Sequence, residues 1–367
     1  MNKEYTKWMV CVQCMTYNHA EFIEDTMNGF VMQQTDFPYV CCIIDDASTD
    51  GEPVIIQNYL QKYFNQKNHI YRSEDTDDYT MTFAQHNTNS NCFFAVFFLK
   101  YNHYSIRKRK MTYISKLIGN PRYIAICEGD DYWISSRKLQ MQLDYMENHQ
   151  DCSMTCSRAK LFSSSKNKFF GEQFCAMSDG CLNPADIINR TGRYIPTCSI
   201  MYRPFLKDNY PDYCRNCNVG DYPLQIMAAM KGKVYYFNEA LCVYRKQVKS
   251  SWSSRQKFGT MNPDRLHIVS GQTKMFEGFS KDYPLYERVF KDKIAEHLCR
   301  NMPRWKRDKN EVKSYIDLFS DEFAMFTFKW RIFKWISELR FPFIKNLYRF
   351  VFLLKYSYKI KIKRYIC

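Results

Sequence analysis

Apolar residues in the first half of the chain come in short unbroken runs, each stopped by a polar or acidic cluster. The first, Met9 to Met15, ends at Thr16-Tyr17-Asn18 and reads as a strand. Ile23, Met27 and Phe30 follow at i, i+4 and i+7, the stripe of an amphipathic helix. Tyr39 to Ile44 predicts a buried strand that stops at Asp45-Asp46. Ala47-Ser48-Thr49-Asp50-Gly51 then forms a turn, and Pro53 suits the first turn of a helix continuing from Val54 to Tyr63. His69 to Arg72 is expected as a third short strand. This βαβαβ opening predicts an α/β fold with a parallel, doubly wound sheet and ligands at the C-terminal strand edges.

From Asp75 to Asn120 the pattern is less regular. Cys92 to Leu99 is too short to span a membrane and fits a buried helix or strand. Arg107-Lys108-Arg109-Lys110 is either a solvated loop or a contact to substrate phosphates. Tyr123 to Cys127 predicts a further buried strand, running into Glu128-Gly129-Asp130-Asp131-Tyr132-Trp133. Ser135 or Ser136 can cap the next helix, striped by Leu139, Leu143 and Met146. Thr197 to Tyr202 and Val234 to Phe237 are expected strands around a helix from Pro223 to Met230. After Arg245 the pattern is helical and polar.

Charge divides the chain. Of the net +15, the 39 residues from Lys329 to Cys367 carry +10, from eleven Lys/Arg and the single acid Glu338. The tail has two helical stripes, Phe328, Ile332, Trp335 and Leu339, then, beyond Pro342, Leu347, Phe350, Val351, Leu354 and Tyr358. A basic amphipathic helix with Trp and Phe on its apolar face suits the surface of an anionic membrane; a helical subdomain packed on the core or on a second subunit is the alternative. No nucleic-acid motif accompanies the charge, so nucleic acid is not an expected partner. Sixteen cysteines without a secretory start point to buried free thiols in a reducing cytoplasm. Cys11/Cys14 and Cys214/Cys217 have zinc-like spacing, but residues three apart in a strand face opposite ways, which favours core thiols.

The acidic pairs Asp45-Asp46 and Asp130-Asp131 end two strands expected to be adjacent and parallel. Neighbouring carboxylates repel and need a cation, donors or water. A hard divalent cation shared with ligand phosphates meets that need; two solvent-facing turns are the plain alternative.

Val10 to Asn18, Ile43-Ile44-Asp45-Asp46-Ala47-Ser48-Thr49-Asp50-Gly51 and Cys127-Glu128-Gly129-Asp130-Asp131-Tyr132-Trp133 occur in that order, each at a strand end. Together they resemble glycosyltransferase family 2 over about residues 8 to 255. The resemblance implies the GT-A fold, a mostly parallel Rossmann-like sheet flanked by helices, and inverting transfer from a nucleotide-activated sugar. It implies that Thr16, Tyr17 and Asn18 line the nucleotide pocket, with Tyr17 near the base. Asp46 would hydrogen-bond the base, uracil in the commonest case. Asp130 would lie near the ribose or sugar, and Asp131 would bind Mg²⁺ or Mn²⁺. Asp221, in Val219-Gly220-Asp221-Tyr222-Pro223, matches the general base, although a helix N-cap is its simpler reading. Trp252 matches a loop that closes over the donor. One departure stands out: many relatives carry a His shortly after the pair that is Tyr244-Arg245 here. This chain has Lys246-Gln247-Val248-Lys249, so either Lys246 or Lys249 bonds the diphosphate or metal affinity is reduced.

The expected organisation is a catalytic domain over 1–255, a helical extension over 256–327 and the basic tail over 328–367. The expected activity is transfer from a nucleoside-diphosphate sugar, UDP-linked in the commonest case, to a hydroxyl of a glycan or lipid-linked acceptor. Surface polysaccharide synthesis on the inner face of the cell membrane is the expected setting. A catalytically idle nucleotide-sugar-binding or scaffold protein is the alternative.

Overall fold

The computed structural model describes residues 8–190, 194–208, 210–215, 217, 219–248, 263–301 and 309–324. Lys249, Trp252 and the tail from 328 lie outside the described residues. The chain forms two units, Met1–Tyr210 with Val219–Gln256, and Pro211–Asn218 with Lys257–Cys367. The division falls between Gln256 and Lys257, and the short segment Pro211–Asn218 goes with the second unit.

The first unit opens with β1 (Val10–Thr16), α1 (Ile23–Val31), β2 (Tyr39–Asp45) and α2 (Glu52–Tyr63). It continues through β3 (Phe64–Asn65), β4 (Arg72–Asp75), β5 (Tyr79–His86), β6 (Cys92–Leu99), α3 (Met111–Ile118), β7 (Tyr123–Ile126) and β8 (Tyr132–Trp133). Then come α4 (Lys138–Asn148), β9 (Cys152–Ser163), β10 (Lys168–Gln173), β11 (Gly180–Cys181), α5 (Pro184–Arg190) and β12 (Met201–Tyr202). After α6 (Asp212–Arg215), which belongs to the second unit, the first closes with α7 (Asp221–Lys231) and β13 (Lys233–Lys246).

Among the described residues the strands make one sheet, in the order β11-β13-β9-β12-β7-β1-β2-β6-β5-β3, with β10 on β9, β4 on β5 and β8 on β13. β7, β1, β2 and β6 are mutually parallel, so the loops that leave them share one edge. Alternation along these strands feeds two apolar layers. Val10, Val12 and Cys14 join one, with the α1 stripe Ile23, Met27 and Phe30; Trp8 and Cys11 join the other. Cys11 and Cys14 therefore lie on opposite faces and share no metal, as their strand position requires.

Three expectations change. Residues 69–72 do not supply the third parallel strand; β4 starts only at Arg72 and pairs antiparallel to β5. The third strand is β6, whose eight residues are all apolar, as burial on both faces demands. The two acidic pairs are not on neighbouring strands, because β1 lies between β2 and β7. The stretch expected as a strand from Thr197 keeps only Met201–Tyr202 extended; a 3₁₀ turn over Thr197–Ser199 follows Pro196.

The second unit is helical: α6, α8 (Pro263–Asp282), α9 (Glu287–Asn301), α10 (Lys309–Leu318) and α11 (Ser320–Ala324). Tyr213 of α6 sits edge-on to Phe279, with ring centroids 5.2 Å apart, and donates its hydroxyl to Asp282 at 2.7 Å. Gly278 permits this approach, since a Cβ there would lie 2.3 Å from the tyrosine ring. No helix among the described residues is long and apolar enough to cross a membrane.

Candidate active site

The site is assembled where β1, β2 and β7 end side by side. The turn after β2 is knitted to the turn after β1. Asn18, at φ 57°, donates its N–H to the Ser48 hydroxyl and accepts the Thr49 N–H, each at 2.8 Å. Asp50 accepts the N–H of Ala20 at 2.9 Å and that of Glu52 at 3.1 Å. Gly51, at φ 91°, then turns the chain into α2, with Pro53 in its first turn.

Glu52 is the hub of this corner. Fully buried, it accepts the Thr16 hydroxyl, the His19 N–H at 2.9 Å and the Ser48 hydroxyl at 2.8 Å. Burial pushes its carboxyl up to about 7, against the lowering effect of those donors. A folded-state pKa above the unfolded one makes stability fall as pH rises between the two values. The penalty should therefore be absent below about 4.5 and complete above about 7, on the order of 3 kcal/mol for a shift of this size. Glu52→Gln should flatten that part of the curve, so that thermal melts from pH 4.5 to 8 converge at the acid end and separate toward neutrality. Parallel curves would show that Glu52 titrates normally.

β7 delivers the acids. Gly129 passes so close to β1 that a Cβ would lie 2.0 Å from Thr16 Oγ1. The Thr26 hydroxyl bonds the carbonyls of Gly129 (3.0 Å) and Asp131 (2.6 Å), and the buried Trp133 indole donates to the Cys198 carbonyl at 2.8 Å. So held, Glu128, Asp130 and Asp131 bring carboxylate oxygens within 4.8 Å of one another. Asp131 is fully buried: Oδ1 accepts the Arg245 N–H at 2.8 Å, and Oδ2 has no hydrogen-bond partner. Burial first, then Asp130, drives its pKa well above the carboxylate range. Glu128 is open to solvent at its rim yet crowded by the recess, and desolvation, then Asp130 and Asp221, push it up to about 8. Asp130 lies 3.9 Å from His19 Nε2. An orphaned buried oxygen beside two further carboxylates is the donor set that a hard divalent cation takes.

β13 braces this cluster. Besides its N–H, Arg245 donates its guanidinium to the Asp130 carbonyl at 3.0 Å, pairs with Asp25, and lies over the rings of Phe22 and Tyr132. The Tyr244 hydroxyl is raised by burial and next by Asp131 and Glu128, and Lys246 Nζ sits 3.6 Å above the Tyr244 ring. Asp221 is the first residue of α7 and Gly220 its cap, so Asp221 is not the N-cap itself. It accepts the Thr197 hydroxyl at 2.9 Å and the Tyr222 N–H at 2.8 Å, and burial raises its pKa.

The tertiary structure thus gathers Thr16, Asn18, Asp130, Asp131 and Asp221 at one edge. Thr16 has its hydroxyl turned inward to Glu52, while Tyr17 and Asn18 are half-buried. Asp46 is also at this edge, with its carboxylate bonded to a neighbouring loop. Sequence reasoning did not single out Glu52, Glu128, His19 or Arg245. For Glu128 the signal was present, one residue before an already recognised motif.

The fold is similar to that of S. aureus TarS 1-349 in complex with UDP-GlcNAc, at 16% identity over 86% of this chain and 80% of that one, with a TM-score of 0.56. It is also similar to GalNAc-T7 with UDP, GalNAc and Mn²⁺, at 9% identity over 89% of this chain and 56% of that one, with a TM-score of 0.50. The architecture is GT-A, a mostly parallel sheet flanked by helices with the acidic edge described above. Residues 11–80 match the family model for Glycosyl transferase family 2. The matched segment runs from β1 into β5 and includes the turn from Asp45 to Gly51 that closes β2. Among curated proteins it is similar to the Mycobacterium tuberculosis protein Rv1520 and the Mycobacterium bovis protein Mb1547, both described as uncharacterized, at 26% identity over 249 residues. That match spans 66% of this chain and 62% of the length of each relative.

Proposed function

We propose that the chain moves a sugar, with inversion, from a nucleoside-diphosphate donor to a hydroxyl of a glycan or lipid-linked acceptor. The observation that carries this reading is the partnerless buried oxygen of Asp131 within the Glu128–Asp130–Asp131 cluster, close enough to Asp221 for their charges to interact. Support comes also from the relatives of the same fold, TarS with UDP-GlcNAc and GalNAc-T7 with UDP, GalNAc and Mn²⁺. A UDP-sugar is therefore the first donor to test.

Glu128, Asp130 and Asp131 would hold Mg²⁺ or Mn²⁺, which when bound supplies charge neutralisation to a diphosphate. The remaining chemistry belongs to the chain. The acceptor oxygen bonds to the anomeric carbon as the bond from that carbon to the diphosphate oxygen breaks, and Asp221 takes the acceptor proton. Thr197 and the Tyr222 N–H fix the Asp221 carboxylate, and its raised pKa brings it closer to neutrality, where a general base works best. Lys246, on Tyr244 beside the acids, provides positive charge for the departing diphosphate in place of the absent His. Thr16, Tyr17 and Asn18 form the nucleoside side of the pocket. The basic tail anchors the protein to the anionic inner face of the cell membrane, where lipid-linked acceptors for surface polysaccharide are carried.

Calorimetric titration with UDP, CDP, GDP and ADP, with and without Mn²⁺, tests the reading. A nucleotide that binds only with metal, and whose sugar conjugate is turned over, supports it. Metal-dependent binding without turnover of any donor would favour the idle, nucleotide-sugar-binding alternative. Failure of every nucleotide to bind would end the donor reading.

A further inference from the structure

β9 and β13 run on past the end of β7. Met201 of β12 pairs antiparallel with Ala125 on one side and Thr155 on the other, so β9 runs the same way as β7. β7 stops at Ile126, level with the early part of β9, which continues to Ser163. β13 lies parallel to β9, with Arg245 opposite Phe162 and Lys246 opposite Ser163. The root of the β9–β10 hairpin is thus beside the residue whose N–H holds Asp131. It is fastened there: the Ser164 N–H reaches the Lys246 carbonyl at 3.1 Å, and the Ser163 and Ser165 hydroxyls donate to Gln247 Oε1 at 2.6 and 2.5 Å.

Beyond that root the hairpin stands clear of the body. Asn167 forms the tip at φ 48°, a backbone that Asn tolerates, and β10 is exposed from Lys168 to Glu172, on both faces. Phe169 pairs with Phe162 and Gly171 with Leu161, which leaves Phe170 as a bulge with nothing opposite it. Phe169 and Phe170 are each 53% exposed, and Phe169 leans edge-on against Phe162 at 5.1 Å. Lys166 and Lys168 flank the tip, both exposed and neither in an ion pair among the described residues. Glu172, the acid of the hairpin, is already paired with Arg158 at 2.9 Å. A projecting apolar patch of this kind marks a surface that meets something else.

We propose that the β9–β10 hairpin docks on an anionic lipid surface, with Phe169 and Phe170 entering the hydrocarbon boundary and Lys166 and Lys168 meeting the lipid phosphates. Apolar area joined to basic charge is the combination that holds a segment at a charged bilayer. A glycan platform would gain from rings that carry a hydrogen-bonding group, which phenylalanine lacks. The proposal rests on the membrane part of the reading above and adds an orientation to it. Because the hairpin projects from the edge that carries the acids, docking turns that edge toward the leaflet in which a lipid-linked acceptor lies.

Co-sedimentation of the full chain with equimolar phosphatidylcholine–phosphatidylglycerol vesicles, and hydrogen exchange over 163–171, test this. Vesicles should slow exchange in that segment. Phe169→Ser with Phe170→Ser should lower the partition coefficient about tenfold, and Phe169→Trp with Phe170→Trp should keep it. Lys166→Glu with Lys168→Glu should lower it about tenfold as well, an effect that high salt removes. All four positions are exposed, so the variants should melt with the wild type. Wild-type binding that the serine substitutions leave unchanged, or exchange over 163–171 that vesicles do not slow, overturns the hairpin proposal and leaves the membrane reading standing. Serine substitutions that alter only the oligomeric state assign the hairpin to a second copy of the chain and overturn it equally. A wild type that binds no vesicle overturns the membrane reading, and this proposal with it.

Discussion

Asp131→Asn should abolish metal-dependent donor binding and lower transfer by about 10³-fold, yet make the metal-free protein more stable. The two effects have one cause. Asp131 is fully buried, one of its oxygens has no partner, and Asp130 and Glu128 crowd it with like charge. Without a cation, folding must either desolvate that charge or hold a proton on it. An amide removes the charge and offers N–H donors to the neighbouring carboxylates, while its oxygen still accepts the Arg245 N–H. The gain should be about 1–3 kcal/mol, the usual cost of a buried group left unsatisfied. Thermal melts at pH 7.5 with and without Mn²⁺ check this. The wild type should be stabilised by metal and the variant should not, with the variant melting higher when metal is absent. A variant that melts lower than the wild type in chelator, or that still responds to Mn²⁺, would show that Asp131 is an ordinary structural carboxylate.

Asp221→Asn should lower kcat by about 10²- to 10⁴-fold while leaving nucleotide affinity unchanged. This substitution separates chemistry from architecture, because Asn serves a helix start as well as Asp does. The amide oxygen can still accept the Tyr222 N–H, and its NH2 can donate to the Thr197 hydroxyl oxygen, so α7 should remain in place. What it loses is the capacity to take a proton. The raised pKa of Asp221 adds a second signature. In the wild type, kcat/KM should rise with pH on a limb displaced upward from that of an ordinary Asp, since the base works only when ionised, and the variant should lack that limb. Equal losses in affinity and turnover would instead assign Asp221 to donor binding.

Much of the fold and part of the site were legible in the sequence because they rest on local rules. An apolar run closed by a polar cluster marks β1, β2 and β7, and spacing of i, i+4, i+7 marks α1. The Asp-Ala-Ser-Thr-Asp-Gly turn is written in residues that bond their own neighbourhood. Position at a strand end was enough to select Asp130 and Asp131. The third parallel strand was missed because an eight-residue apolar run fits a buried helix as well as a two-faced strand, and only the neighbours β2 and β5 decide between them.

The sequence by itself determined that Asp46, Asp130 and Asp131 stand at the parallel edge and that the thiols of β1 belong to the core. Tertiary structure alone decided how those acids are held and which of them are free to act. Arg245 reaches Asp131 across 114 positions, and Lys110 reaches Asp46 across 64. Thr16, at the end of the first strand, turns to Glu52 in the second helix. Periodicity and propensity report on a few residues at a time. A carboxylate's protonation, by contrast, depends on burial and on charges that the fold brings from distant segments, and those terms exist only once the chain has closed on itself.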